Sequence, residues 1–214
     1  MDKQNKEPLF SAKNLKLLKN PLGKENPITV QVLGICSALA VTAKVQPAVV
    51  MALSVMVVVV MSNLICSSLR NTIPPRIRII VQLVIVSLLV VLVDQILKAF
   101  VYEVSKQLSV FVSLIVTNCI VMGRIEAFAL SNKPIPSVID GIGNGLGYGI
   151  ILVLVSIVRE LFGSGTLWDY PVVPQWLYDH GYANNSFMIM PPMALIVVGL
   201  IVWAHRSRNK DLCE

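Results

Sequence analysis

The chain has 214 residues, of which 55% are hydrophobic and 14% charged, and its net charge is +6. A soluble domain carries about 25% charged residues, so this composition excludes a soluble globular protein, a disordered chain and a nucleic-acid-binding protein. The four cysteines are dispersed and form no CxxC pair, which excludes a disulfide scaffold and a compact zinc knuckle. A membrane-spanning helix needs about 20 residues, so roughly five to seven spans fit this length.

Six apolar segments follow a polar, basic tail at residues 1–27. We predict membrane-spanning helices at 28–43, 47–69, 76–98, 109–122, 139–162 and 187–205, and a second short tail at 207–214. Their lengths and their lack of alternation favour helices over strands. The first and fourth segments are short for a span, whereas the other four have full length.

The positive charges indicate how the six predicted spans are oriented in the membrane. With six spans and the N-terminus inside, fourteen of the 18 Lys and Arg residues lie on the inner side and four on the outer side. Cytoplasmic loops of membrane proteins carry an excess of Lys and Arg. The sequence therefore predicts a multi-pass membrane protein with both termini in the cytoplasm.

The two halves of the chain share one pattern of span lengths. Residues 28–100 and 109–206 each contain a short span followed by two long ones, which predicts an all-α membrane domain over 28–206 with two three-helix repeats. Three crossings per repeat make the second repeat inverted relative to the first. In transporters of this type, short or broken spans at matching positions indicate the functional site near the midplane. Here these spans carry Cys36 and Cys119.

The residues alone leave two interpretations of this cysteine pair open. A cysteine in a membrane helix is usually a small packing residue, whereas a thiolate binds metals, and matched positions in both short spans favour a metal. An iron–sulfur cluster takes four thiolates, and Cys66 and Cys213 are poorly placed. Two further thiolates would therefore come from another polypeptide of a complex. A small secondary transporter with an inverted repeat is the alternative function.

Three glycines and one polar turn predict structural contacts. Gly141, Gly145 and Gly149 recur every four residues, a spacing that lets membrane helices approach closely. At the end of the fourth span, Arg124 and Glu126 are expected to bond to each other or to free helix-end carbonyls.

Two acidic residues are candidates for a sodium pathway. Asp94 and Asp140 lie near membrane boundaries, and acidic residues within a membrane protein are functional candidates by default. Each also has a structural alternative. Asp94 could pair with Lys98 at i,i+4, and Asp140 could cap a helix.

Three stretches of the chain carry a family resemblance. They are LGICSALAVT (33–42), the segment 93–130 with its block NCIVMGRIEAFAL (118–130), and IPSVIDGIGNGLGYG (135–149). These stretches resemble the D subunits of sodium-translocating NADH:quinone oxidoreductases, and the E subunits of Rnf complexes are similar. The resemblance covers roughly residues 26–165 and extends weakly into the sixth span.

The resemblance implies an integral component of a bacterial inner-membrane pump that passes electrons from NADH to ubiquinone and translocates sodium. It implies the A, B, C, E and F subunits as partners, and a [2Fe-2S] cluster shared with the E subunit through Cys36 and Cys119. Ser37, Thr117 and Asn118 adjoin these cysteines and are candidate donors to the sulfurs. No complete active site is expected on this chain. No covalent flavin is expected either, because the Ser/Thr-Gly-Ala-Thr pattern is absent. Membership of an Rnf-type ferredoxin:NAD oxidoreductase is the second interpretation.

Overall fold

The computed structural model describes residues 17–18, 20–23, 26–100, 114–168, 170–171 and 186–208, which are almost entirely helical. The helices are α1 (Ile35–Val41), α2 (Val45–Leu69), α3 (Arg78–Phe100), α4 (Cys119–Arg124), α5 (Pro134–Gly163) and α6 (Pro191–Arg208). Short 3-10 turns lie at Asn20–Leu22 and Ser186–Ile189, and a π-helical turn over Ile125–Ala129 continues α4. Thr166–Leu167 and Tyr170–Pro171 pair as a small antiparallel ribbon. The all-α class is confirmed for these ranges.

Three helices in the described ranges, α2, α3 and α5, are long and apolar enough to cross a membrane. They coincide with the second, third and fifth predicted spans. Helix α5 begins at Pro134, earlier than predicted, because proline suits the first turn of a helix. Helix α6 has 18 residues and overlaps the sixth predicted span. The inverted six-span arrangement stays a prediction, since 101–113 and 172–185 lie outside the described residues.

Neither predicted short span is a continuous helix, so both need correction. In the first, residues 27–30 form turns, and α1 begins only after Gly34, whose φ is +82°. The seven residues of α1 cover about 10 Å, a third of a hydrocarbon core of about 30 Å. In the fourth, a helical turn at 114–116 stops before Asn118, and α4 begins at Cys119. Residues 109–113 lie outside the described ranges. In each segment a short helix therefore begins after a non-helical stretch, and we call the residues just before α1 and α4 the two breaks.

Helices α2 and α5 form the centre of the fold and pack closely in antiparallel directions. A Cβ atom at Gly145 would lie 2.7 Å from Met56 Cγ, and one at Gly149 would lie 3.3 Å from Ala52 Cβ. Gly141 meets α2 further along, where an added Cβ would lie 3.3 Å from Val60 Cα. The spacing of the three glycines matches that of Ala52, Met56 and Val60 on the opposite helix, as close helix packing requires.

Another face of α5 packs against part of the basic N-terminal segment. A Cβ atom at Gly147 would lie 2.6 Å from the carbonyl oxygen of Pro21, and one at Gly143 would lie 3.0 Å from that of Leu17. The side-chain amide of Asn26 donates to the carbonyl of Gly147 at 3.2 Å. The described part of this segment thus follows α5 well past its first turns.

Candidate functional site

Cys36 and Cys119 occupy equivalent places at the two helix breaks. Cys36 is the second residue of α1, and Cys119 is the first residue of α4. Both are free thiols with exposed side chains. Cys66, in contrast, is fully buried in the core on α2, and Cys213 lies outside the described residues. The structure therefore separates the two cysteines that the sequence selects from the one that packs inside the protein.

A hydrogen-bonded junction joins the two breaks. The side-chain oxygen of Asn118 caps α4 by accepting from the backbone N–H of Ile120 at 3.3 Å. Its amide nitrogen donates to Ser37 Oγ at 3.1 Å. Ser37 Oγ also donates to the carbonyl of Gly34 at 2.8 Å and lies 2.7 Å from the hydroxyl of Tyr148. The start of α1, the start of α4 and the middle of α5 thus meet at one point.

The three predicted neighbours of the sulfurs fall into two groups. Ser37 and Asn118 are buried and bond to each other inside the protein. Thr117 is exposed, as both cysteines are. The sequence did not indicate Tyr148, which is fully buried between glycines on α5. In the sequence, Tyr148 stands out only as the one aromatic residue in the glycine-rich stretch at 141–149.

The loop that precedes α1 contains a strained residue. Val32 has φ +59° and a side chain that is 56% exposed. A left-handed backbone is unfavourable for a β-branched residue, and it persists where the surrounding structure holds it, often at functional sites. This backbone strain lies at the first break, three residues before the start of the helix that carries Cys36.

Asp140 is buried on α5 and forms an ion pair with Arg124 at the end of α4. Arg124 Nε donates to Asp140 Oδ2 at 3.0 Å, and its Nη2 bonds to Oδ1. The amide of Asn144 also donates to Asp140 Oδ1, at 3.0 Å. The guanidinium of Arg124 lies 5.7 Å from the ring centre of Phe128. This pair ties the Cys119 helix to α5.

Arg124 and Glu126 were expected to bond to each other or to free helix-end carbonyls, but within the described ranges both pair with side chains of other helices instead. Glu126 accepts a hydrogen bond from Gln82 Nε2 at 2.9 Å and pairs with Arg78, both on α3. The two side chains diverge because residues two positions apart on a helix point to different faces, so Arg124 meets α5 and Glu126 meets α3.

Asp94, the second candidate for a sodium pathway, contacts Lys98. Lys98 Nζ donates to Asp94 Oδ2 at 2.5 Å, one helical turn away on α3. The spacing of the two residues predicts this contact. Both candidate acids thus bond to protein cations, and their sodium role stays a prediction.

A buried charged cluster lies at the end of α5. The sequence places Glu160, like Asp94 and Asp140, near a membrane boundary, but it does not show the partners of Arg159 and Glu160, which lie on other elements. Arg159 is 1% exposed and donates to Thr42 Oγ1 at 2.5 Å and to the backbone carbonyls of residues 188–190. Glu160 Oε2 accepts from the backbone N–H of Val45 at 2.5 Å and so caps α2. This cluster holds the end of α1, the start of α2 and the start of α6 together.

Taken alone, the described residues do not complete a metal site. They contain no group of three or more His, Cys, Asp or Glu side chains that could hold a metal ion. Cys36 and Cys119 supply two thiols, whereas an iron–sulfur cluster normally takes four thiolates.

Comparison with known proteins agrees with the membrane architecture. The family model described as "Rnf-Nqr subunit, membrane protein" matches residues 14–202. Relatives named as the D subunit of Na(+)-translocating NADH-quinone reductase occur in Psychromonas ingrahamii (52% identical over 92% of this chain and 94% of the relative) and Aeromonas salmonicida (53%, over 93% and 95%). The relative of that name in Photobacterium profundum is 54% identical, over 89% and 91%. The chain therefore belongs to the Rnf-Nqr family of multi-pass membrane proteins, on the branch of the D subunits.

Proposed function

We propose that this chain is the D subunit of a sodium-translocating NADH:quinone reductase in a bacterial inner membrane, assembled with the A, B, C, E and F subunits. The names of relatives that are 52–54% identical support this assignment. Those names favour the quinone-reductase branch over the Rnf-type complex and over a small secondary transporter. The charge distribution along the sequence supports cytoplasmic termini.

Within that complex, we propose that Cys36 and Cys119 are two of the four thiolate ligands of a [2Fe-2S] centre shared with the E subunit. One observation carries this proposal. Both thiols are free and exposed in the first turns of short helices, and the residues beside them, Ser37 and Asn118, are hydrogen-bonded to each other. The junction therefore brings together the two chain segments that carry Cys36 and Cys119, which supports a common site for the two thiols.

The chemistry of the two thiols fits this role. Free cysteines are among the most buried residue types in proteins, and Cys66 follows that rule while Cys36 and Cys119 do not. A thiolate in an apolar environment needs a compensating positive charge, which iron supplies. When bound, the centre accepts and releases one electron at a time. The contribution of this chain is to hold the two cysteines on short helices whose starts are joined by the Ser37–Asn118 hydrogen bond.

A sodium pathway through Asp94 or Asp140 is a separate proposal. A sodium ion needs oxygen ligands, and both oxygens of the Asp140 carboxylate already bond to Arg124. A sodium ion at Asp140 therefore competes with the guanidinium of Arg124 for the negative charge of the same carboxylate. The pair is a candidate link between α4 and ion movement because Arg124 is the last residue of the helix that begins at Cys119.

Alanine variants of three cysteines test the iron assignment. The complete purified complex is compared as wild type, Cys36→Ala, Cys119→Ala and the matched buried control Cys66→Ala. Iron per complex, the low-temperature EPR spectrum of the reduced complex and quinone-reductase activity are measured.

We expect Cys36→Ala and Cys119→Ala each to lose the same two iron atoms, the same EPR signal and the activity, and Cys66→Ala to keep them. The stoichiometry of the polypeptides shows whether each variant assembles. Full iron content in assembled Cys36→Ala and Cys119→Ala complexes would refute the proposal.

A further inference from the structure

Tyr148 is a third member of the hydrogen-bonded junction between the two breaks, beside Ser37 and Asn118. Tyr148 lies in the middle of α5 and is fully buried, although its hydroxyl is polar. A buried tyrosine hydroxyl normally requires a hydrogen-bond partner. Here that partner is Ser37 Oγ, at 2.7 Å, and Ser37 follows Cys36 directly in α1.

The direction of this hydrogen bond follows from the other contacts of Ser37. A serine hydroxyl has one hydrogen and two acceptor lone pairs. Ser37 uses its hydrogen toward the carbonyl of Gly34. Asn118 approaches Ser37 with its amide nitrogen, because its side-chain oxygen accepts from the N–H of Ile120. Tyr148 is therefore the donor to Ser37, and the three bonds use the full capacity of the Ser37 hydroxyl.

The ring of Tyr148 makes a second contact with the same break. A Cβ atom at Gly34 would lie only 3.0 Å from Cε2 of the Tyr148 ring. Gly34 caps α1 with a left-handed backbone, which glycine adopts without steric cost. Tyr148 thus touches the start of α1 through both its ring and its hydroxyl.

Tyr148 is itself held firmly by its two neighbours in sequence. Gly149 packs against Ala52 of α2, and Gly147 packs against Pro21 while its carbonyl accepts from Asn26. Close packing on these two sides keeps this part of α5 from shifting. A rigid α5 can therefore fix the position of the break that it contacts.

From these contacts we infer that Tyr148 is a positioning residue for the redox centre, whose hydroxyl holds Ser37 and Asn118 and thereby the relative placement of Cys36 and Cys119. This inference rests on the proposed iron–sulfur function. Loss of the hydroxyl leaves Ser37 with an unused lone pair in a buried site, so the start of α1 relaxes relative to α4. The geometry and hydrogen bonding of the two cysteine sulfurs change with it, and both tune the properties of an iron–sulfur centre.

The test uses the complete complex with Tyr148→Phe, Ser37→Ala, the double variant and the control Ser156→Ala. Phenylalanine keeps the ring against Gly34 and removes only the hydroxyl. Ser156 is a matched buried serine on α5 whose hydroxyl donates to Val153 of the same helix. The readouts are iron content, the EPR spectrum and the midpoint potential of the iron signal in a redox titration.

We expect Tyr148→Phe to retain its iron but to show an altered EPR spectrum and a shifted midpoint potential. The double variant is expected to shift no further than Ser37→Ala alone, because partners in one network are not additive. Ser156→Ala is expected to match the wild type.

An unchanged spectrum and potential in iron-loaded Tyr148→Phe would overturn the inference. If that variant fails to assemble, Ser37→Ala removes the same bond from the α1 side, and its unchanged signal would overturn the inference equally. Failure of the proposed function is distinguishable, because the Cys36→Ala complex would then keep its iron.

Discussion

The side-chain amide of Asn118 and the hydroxyl of Ser37 are joined by a hydrogen bond of 3.1 Å across 81 residues of sequence. The bond links the starts of α1 and α4, the two short helices that carry the exposed cysteines. Asn118 also caps α4 with its side-chain oxygen. Asn118 therefore fixes the start of α4 and attaches it to α1.

Two substitutions separate the capping role of Asn118 from its bridging role. Serine is a good N-cap but is too short to replace the amide bridge to Ser37, whereas alanine removes both contacts. We expect Asn118→Ala to lower the unfolding free energy by about 1 kcal/mol more than Asn118→Ser, the usual value of an N-cap. Thermal denaturation of the purified complex measures the difference. Equal melting temperatures for the two variants would show that the cap contributes nothing.

Close packing of α2 on α5 predicts a steric effect at Gly145. Its added Cβ would lie 2.7 Å from Met56 Cγ and 3.1 Å from Met56 Cα, and the main-chain atom cannot move aside. We expect Gly145→Ala to destabilise the protein by about 1–3 kcal/mol, the usual cost of overpacking. Gly199→Ala is the matched control, because nothing lies within 4 Å of its added Cβ. A Gly145→Ala complex as stable as Gly199→Ala would contradict this close contact.

The Arg124–Asp140 pair predicts an asymmetry between single and double substitutions. The side chains of Arg124 and Asp140 are 14% and 2% exposed, and removal of one partner from a buried pair costs about 3–5 kcal/mol. We expect Asp140→Asn to destabilise the complex strongly, and Arg124→Gln combined with Asp140→Asn to recover part of the loss. Lys98→Ala, at the exposed end of the Asp94 pair, is expected to cost under about 1 kcal/mol. Thermal denaturation provides these values.

The same variants separate a structural role of Asp140 from a sodium role. The sodium concentration for half-maximal activity is measured in the double variant, in which no unpaired buried charge remains. Normal sodium dependence there would limit Asp140 to the ion pair. A raised sodium requirement in a complex of restored stability would support Asp140 as part of the sodium pathway.

The predicted orientation is testable with reporter fusions. Green fluorescent protein fused after Glu214 is expected to fluoresce, and alkaline phosphatase at the same place is expected to be inactive, because the C-terminus is predicted to be cytoplasmic. A phosphatase fusion after Phe100, which follows the third predicted span, is the matched control and is expected to be active. An active phosphatase after Glu214 would contradict a six-span map with both termini inside.

Local features of the sequence were enough to predict several parts of this structure. High hydropathy over full-length segments predicts α2, α3 and α5, and the recurrence of Gly141, Gly145 and Gly149 predicts a face for close packing. Matching positions in two short spans select Cys36 and Cys119. These properties are readable because hydropathy and helical spacing depend on residues only a few positions apart.

The breaks and the contacts across the fold could not be read in this way. A segment that is apolar on all sides does not show which face meets lipid and which meets protein, and its hydropathy conceals a break at Gly34 or Asn118. The contact between Tyr148 and Ser37 spans 111 residues. The partners of Arg124 and Arg159 likewise lie on other elements, and no local rule pairs them.

Composition and spacing therefore sufficed for the long helices α2, α3 and α5, for the glycine packing face and for the two candidate cysteines. The packing of distant segments decided that α1 and α4 meet at Tyr148. It also decided that Arg124 pairs with Asp140. Buried polar groups must find partners, and which partners are within reach depends on how those segments pack.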